Sequence, residues 1–201
     1  EASLNYKGME VPVRGSAGVQ ATRDGVEISG RIDDVVPRLL AENFQTLGAL
    51  SVFDLPVSAN YTGKVLDDGT VVSASLAASV GAGHLRPAHA AETGILVDEG
   101  SLRLNYDRQS HTVTVEPSQF LSGNTRINLA GRIVGIQPQE ADEDQSGAAP
   151  ALWRFAFEGR DILLGSPDLR QQPLPVDRMA VSGQYDLASG ELQVEKGEVL
   201  S

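Results

Sequence analysis

Three histidines and three carboxylate clusters are the residues best suited to ligating a metal or moving a proton: His84, His89 and His111, with Asp33-Asp34, Asp67-Asp68 and Asp142-Glu143-Asp144. A zinc or iron site needs such groups to converge at ligand spacing. His84 and His89 fall in a stretch read as a loop, with no paired carboxylates nearby, and suit surface positions better than a metal site. His111 opens a strand and reads as a turn residue. Asp33-Asp34 reads as a helix cap, Asp67-Asp68 as a turn, and residues 142–144 as a solvated loop. No spacing matches a calcium loop with alternating acidic ligands.

Covalent chemistry is equally thin. A serine nucleophile on a strained elbow needs Gly-x-Ser-x-Gly, which does not occur. Gly81-Ala82-Gly83 is too short for a phosphate loop and no Gly-Lys-Ser/Thr follows, so a bulge or strand end accounts for it. A glycosidase pair would meet in space rather than in sequence, and a hydrolase ranks last among the readings. With no cysteine, disulfides, thiol catalysis and cysteine-ligated zinc are excluded. The expectation is a protein with no catalytic residues, no metal and no cofactor.

What the residues do support is sheet. Residues 55–83 read LPVSANYTGKV, LDDG, TVVSASLAASVGAG: two extended segments around a tight turn. Val72, Ala74, Leu76, Ala78 and Val80 alternate with Ser73, Ser75, Ala77 and Ser79, which gives a strand one apolar and one wet face. Asp67-Asp68-Gly69 supplies residues that tolerate positive φ in a hairpin turn. The device recurs. Residues 19–32 form a hairpin around Arg23-Asp24-Gly25. Residues 95–107 place Leu102, Leu104 and Tyr106 on one side, residues 111–117 place Val113 and Val115, and residues 124–136 place Ile127, Leu129, Gly131 and Ile133. Residues 153–159 set Trp153, Phe155 and Phe157 on one side, and a last hairpin turns at Ala188-Ser189-Gly190.

One helix is expected, over residues 35–47. Asp33-Asp34 would cap it, Pro37 would sit in its first turn, and Gly48 would end it. Val36, Leu39, Leu40, Phe44 and Leu47 give it an apolar face. A single helical turn is expected over 166–172. Residues 137–150 are acidic and free of large apolar groups, which marks an exposed, flexible insertion.

Composition bounds the partners. The net charge of −11 over 201 residues argues against nucleic acid, whose phosphates demand a basic face, and against a polybasic lipid-docking patch. No apolar run reaches the roughly 20 residues needed to span a bilayer, and the start carries no signal-peptide pattern, so any anchor is expected outside these residues.

The last hairpin copies an earlier one. Tyr106-Asp107 corresponds to Tyr185-Asp186, and at the same offset Ser110, Val115, Glu116 and Leu121-Ser122 match Ser189, Val194, Glu195 and Leu200-Ser201. The 55–83 hairpin reads as a looser third copy with Tyr61 before its turn. About three tandem hairpins then build a long antiparallel sheet, truncated within a longer array. Nearly every strand has a full apolar face and only one helix is available to cover them. Such a sheet must curl on itself, pack on a second sheet, or shelter an apolar ligand.

The order of motifs resembles a family. Gly30-Arg31-Ile32, the Pro37 helix, Leu55-Pro56-Val57-Ser58, the Asp67-Asp68-Gly69 hairpin, Leu102 to Asp107, Leu121-Ser122-Gly123-Asn124-Thr125 and Leu129-Ala130-Gly131-Arg132 are similar to the AsmA-like envelope proteins, in particular their YhdP-type region. The resemblance covers roughly residues 20–135, with 174–201 as a further hairpin; residues 137–150 match nothing in it. It implies an elongated, repeat-built, open taco-like β-groove, anchored in the inner membrane of a diderm bacterium and reaching through the periplasm. It also implies transfer of phospholipid towards the outer membrane, and it carries over no catalytic residue.

On that basis the chain is mainly β, with residues 1–136 a groove segment holding the helix, 137–150 an insertion, and 151–201 a continuation. The candidate groove lining is Val72, Ala74, Leu76, Leu102, Leu104, Val113, Val115, Ile127, Leu129, Val181 and Val194. The expected partners are phospholipid acyl chains, flanking repeats of the same chain and, through an outside segment, the inner membrane. The competing readings are a closed β-sandwich that binds through its loops, and an adhesin-like structural repeat with a dry core.

Overall fold

A computed structural model describes residues 2–6, 9–43, 45–86, 94–136, 152–166, 171–187 and 189–201. In chain order the elements are β1 (Ala2–Tyr6), β2 (Met9–Thr22), β3 (Gly25–Val35), α1 (Pro37–Asn43), a 3-10 helix (Gln45–Val52), β4 (Phe53–Asp54), β5 (Val57–Leu66), β6 (Val71–Val80), β7 (Gly83–Leu85), β8 (Ile95–Val97), β9 (Glu99–Asp107), β10 (Thr112–Ser122), β11 (Thr125–Ile136), β12 (Leu152–Leu164), β13 (Leu174–Asp186) and β14 (Glu191–Leu200). Eleven strands form one sheet in the order β1-β2-β3-β5-β6-β9-β10-β11-β12-β13-β14. Every neighbouring pair is antiparallel, and the sheet is open at both edges.

That order follows from the turns. Short turns can only return a strand beside its predecessor, so the chain meanders and the sheet grows one strand at a time. At residues 66–70 the Leu66 amide donates to the Thr70 carbonyl at 2.9 Å, and Gly69 takes a φ of 84°. The Thr70 amide donates to Asp68 Oδ1 at 2.8 Å, so Asp67-Asp68-Gly69 is the turn that the sequence predicts. The closed sandwich has no counterpart among the described residues, because eleven strands make one open sheet and the other three, β4, β7 and β8, only a small one of their own.

A single layer has little interior. Among the described residues only seven apolar side chains are buried: Val35, Leu55, Ala59, Val97, Val115, Ile162 and Val176. The chain exposes 13718 Å², whereas a compact protein of this mass would expose about 9,100 Å². Cohesion therefore rests on the backbone ladders and on side-chain contact along one face.

The helix differs from its prediction over 35–47. β3 runs through both aspartates to Val35, the α-helix is confined to Pro37–Asn43, and the 3-10 helix carries the chain past Gly48 to Val52. Val35 pairs with Val57, so the ladder to β5 takes the residues expected to cap the helix. A register shift between Ile32 and Val35 leaves Asp34 with a φ of 52°, a conformation aspartate tolerates better than most residues. Its amide donates to Ser58 Oγ at 3.0 Å, which satisfies it without a helix. Pro37 does open the helix, where its missing amide hydrogen costs nothing.

Two further expectations are corrected. Residues 95–107 are not one strand but β8 and β9, divided at Asp98, whose carboxylate accepts the Gly123 amide at 2.5 Å. His84 lies in β7 rather than a loop, opposite Asp54 in β4. His89, the 137–150 insertion with its acidic run, and most of the 166–172 turn lie outside the described residues.

The two longer connections, β3 to β5 and β6 to β9, leave from the same end of the sheet. They supply α1, the 3-10 helix and the three-stranded sheet β4-β7-β8. Asp54 Oδ2 ties these pieces together, accepting from Arg38 Nη1 and from Arg86 Nε, both at 2.9 Å. Arg38 also reaches Glu42 Oε1 at 2.9 Å, and that carboxylate, with Asp54 beyond it, raises the pKa of the guanidinium further. Leu55 and Val97 in these connections, with Val35 at the end of β3, are buried at this end of the sheet.

Candidate functional site: the apolar face of the sheet

In an antiparallel sheet, residues directly opposite one another point to the same face. The register therefore defines rows. One row crosses ten strands: Val19, Ile28, Gly63, Ala74, Tyr106, Val113, Ile133, Phe155, Gly183 and Val194. The next runs Ala17, Gly30, Tyr61, Leu76, Leu104, Val115, Gly131, Phe157, Val181 and Gly197. Neither row contains a charged side chain. The row between them, on the opposite face, reads Gly18, Ser29, Thr62, Ser75, Asn105, Thr114, Arg132, Ala156, Ser182 and Lys196. Alternation within each strand has become segregation across the whole sheet.

The bulges could have broken this pattern and do not. After Val115 the β10 register slips, and beyond the buried Ser118 opposite Leu129 it brings Phe120 opposite Ile127, an apolar pair on the same face. In β12, Asp161 adopts a φ of 50° where the pairing to β11 shifts, and the following Ile162 lies against Gly159 on the apolar side. Ile162 and its partner Val176 are each 2% exposed.

All eleven predicted lining residues lie on this one face. Leu76 opposes Leu104, Leu104 opposes Val115, and Val113, Leu129 and Ile127 follow in β10 and β11. Leu102 opposes Ala78 in the next row of β9. Val72 shares the side of Ala74 at a bulge near the turn. Val181 and Val194 belong to the same face at its far edge. Exposure divides them: Val115 is 6% exposed, the central residues are half-buried, and Val194 is 58% exposed.

The predicted lining leaves out a further part of this surface. Tyr61, Tyr106, Ile133, Phe155 and Phe157 stand in the two rows, and Trp153, Tyr185 and Leu192 form a neighbouring row on the same face. The signal was present in the Trp-x-Phe-x-Phe alternation, and in the match of Tyr185 to Tyr106. Between β10 and β14 an apolar hollow of about 540 Å³ has Val113, Ile133, Trp153, Phe155, Tyr185 and Leu192 among its walls. Phe155 and Phe157 meet with ring centroids 5.9 Å apart, tilted by 30°.

Several rings lie down rather than stand up. A Cβ built on Gly100 would come 2.6 Å from Phe120, and one on Gly183 would come 2.7 Å from Phe155. At Gly30 and Gly131 it would clash with Tyr61 and Phe157. Glycine opposite an aromatic lets the ring fold flat over bare backbone, which removes water from both. The face is thereby paved and kept low.

The opposite face carries the charge. Glu158 accepts from Arg160 at 2.5 Å and from Arg178, and the Arg160 contact leads in holding its carboxyl below the usual range. Glu198 is lowered likewise, by Lys196 at 2.7 Å. These are exposed pairs of opposite sign and contribute little to stability. Among the described residues no three of His, Asp and Glu come together as a metal set.

No helix of the described residues is long and apolar enough to cross a membrane. Comparison with protein-family models, with curated proteins and with solved structures finds no match to this chain.

Proposed function

We propose that this chain is a segment of a lipid-transfer bridge of the AsmA-like kind, non-enzymatic, built from tandem hairpins. The apolar face is read as the floor of an open, taco-like groove that shelters phospholipid acyl chains crossing the periplasm towards the outer membrane. The anchor in the inner membrane would lie outside these residues. The observation that carries the reading is the pair of charge-free rows running across ten strands of an open sheet.

The energetics suit the role. A tail of 16 carbons transfers roughly 13 kcal/mol out of water, at about 0.8 kcal/mol per methylene. Covering even half of it would hold a lipid against the face. Rows without charge or deep polar notches offer a sliding tail no strong trap, while the polar face keeps the outer surface wet.

A photo-crosslinking residue placed at Leu76 or Leu104 should capture phospholipid in cells, and the same residue at Ser75 or Arg103 should not. Capture confined to Ser75 and Arg103 would reverse the face assignment. Absence of lipid from all four, together with native mass spectra free of bound phospholipid, would leave a structural repeat as the better reading.

A further inference from the structure

The hairpins β9–β10 and β13–β14 agree in register at the positions paired in both. Tyr106 opposes Val113 and Tyr185 opposes Leu192; Leu104 opposes Val115 and Gly183 opposes Val194; Gly100 opposes Phe120 and Met179 opposes Val199. Each pair in the second hairpin is its counterpart in the first, displaced by the interval from Tyr106 to Tyr185. The bulges coincide too, following Val115 in one and Val194 in the other. In both, the bulged glutamate accepts from an amide across the ladder: Glu116 from Asn105 Nδ2 at 2.6 Å, and Glu195 from Gln184 Nε2. In β10 the far edge is occupied by β11. In β14 the equivalent edge has no strand among the described residues, and Leu192, Val194, Val199 and Leu200 are 61, 58, 63 and 56% exposed.

We propose that the free edge of β14 is a strand-docking site for an antiparallel segment with the chemistry of β11. Carrying the β10–β11 register over by the same interval specifies that segment. It would place isoleucine opposite Leu192, glycine opposite Val194 and isoleucine opposite Val199, as Ile133, Gly131 and Ile127 stand opposite Val113, Val115 and Phe120. It would place an arginine opposite Gln193, as Arg132 stands opposite Thr114. There the arginine is diagonal to Glu191 and Glu195, an acidic edge that favours a basic strand and opposes pairing of β14 with itself.

A bulge often protects an edge from pairing. This one does not, because β10 carries the same bulge and is paired on both sides. The proposal rests on hairpin geometry alone and stands whether or not the face carries lipid.

The test is hydrogen exchange on the chain with and without a synthetic peptide of residues 124–136. Outward amides of residues 191–200 should slow by about tenfold or more at saturating peptide. A scrambled peptide should leave them unchanged, and Val194→Lys should weaken the effect. Unchanged exchange in β14, or equal protection by the scrambled peptide, would overturn the proposal. Protection confined to β1 or to residues 14–22 of β2 would move the site to the other edge. Protection of β14 that grows with protein concentration and needs no peptide would make a second copy the occupant.

Discussion

Hairpin β9–β10 lies inside the sheet between β6 and β11, whereas β13–β14 has β12 on one side and an open edge on the other. Their backbones share turn, register and bulge, yet Val115 is 6% exposed and its counterpart Val194 is 58% exposed. About half a valine side chain separates them, or about 1 kcal/mol of hydrophobic burial. Local sequence sets the shape of this unit, and its neighbours set what that shape contributes.

The sharpest way to test this contrast is to place a charge at both positions. Val115→Asp should cost about 4 kcal/mol, through desolvation of a carboxylate in a packed site. Val194→Asp should cost less than about 1 kcal/mol. Urea denaturation measures both. Equal costs would mean that β14 is covered in solution.

A second, smaller contrast lies in the turns. Asp107 Oδ1 accepts both the amide and the hydroxyl of Ser110 at 2.8 Å, while Asp186 Oδ1 accepts the Ser189 amide at 3.3 Å. Asp107→Ala should therefore lower the denaturation midpoint more than Asp186→Ala. The Ser110 amide, then its hydroxyl, hold the Asp107 carboxyl below the usual carboxylate range. The folded value thus lies beneath the unfolded one. Its stabilisation is complete above about pH 4 and fades as pH falls through the folded value. The gap between wild type and Asp107→Ala should close in acid. Ser110→Ala should raise the Asp107 titration in an NMR series.

The smallest effect separates His111 from Gly190, which occupy the same turn position with φ of 46° and 71°. Glycine enters this region freely and histidine pays for it. His111→Gly should gain about 0.5 kcal/mol in thermal unfolding, once glycine's unfolded-state entropy is deducted, and Gly190→His should lose about 1 kcal/mol.

Much of this arrangement is legible in the residues. Strict alternation at Val72–Val80 or Thr112–Val115 has one structural solution, and Asp-Asp-Gly or Tyr-Asp fixes where the chain turns back. The match of Tyr106-Asp107 to Tyr185-Asp186 even located the shared turn. It is less informative for the 55–83 hairpin, where Tyr61 sits opposite Leu76 well before the turn, unlike Tyr106 and Tyr185. The helix was misread because Asp33-Asp34 suits two structures: a cap, or a bulge with positive φ. Pairing of Val35 with Val57 decides between them, and that partner lies beyond both helical segments and β4 in the chain.

The residues alone establish that the chain is mainly β, which side of each strand is apolar, and that Asp67-Asp68-Gly69 turns it back. Those properties follow from period-two patterning and turn chemistry, which act over a few residues. Only the tertiary structure decided that the strands form one open layer, that eleven separate apolar positions share a face, and that Val115 is buried while Val194 is not. Each of these depends on which strands lie beside which, and a strand's own residues do not record their neighbours.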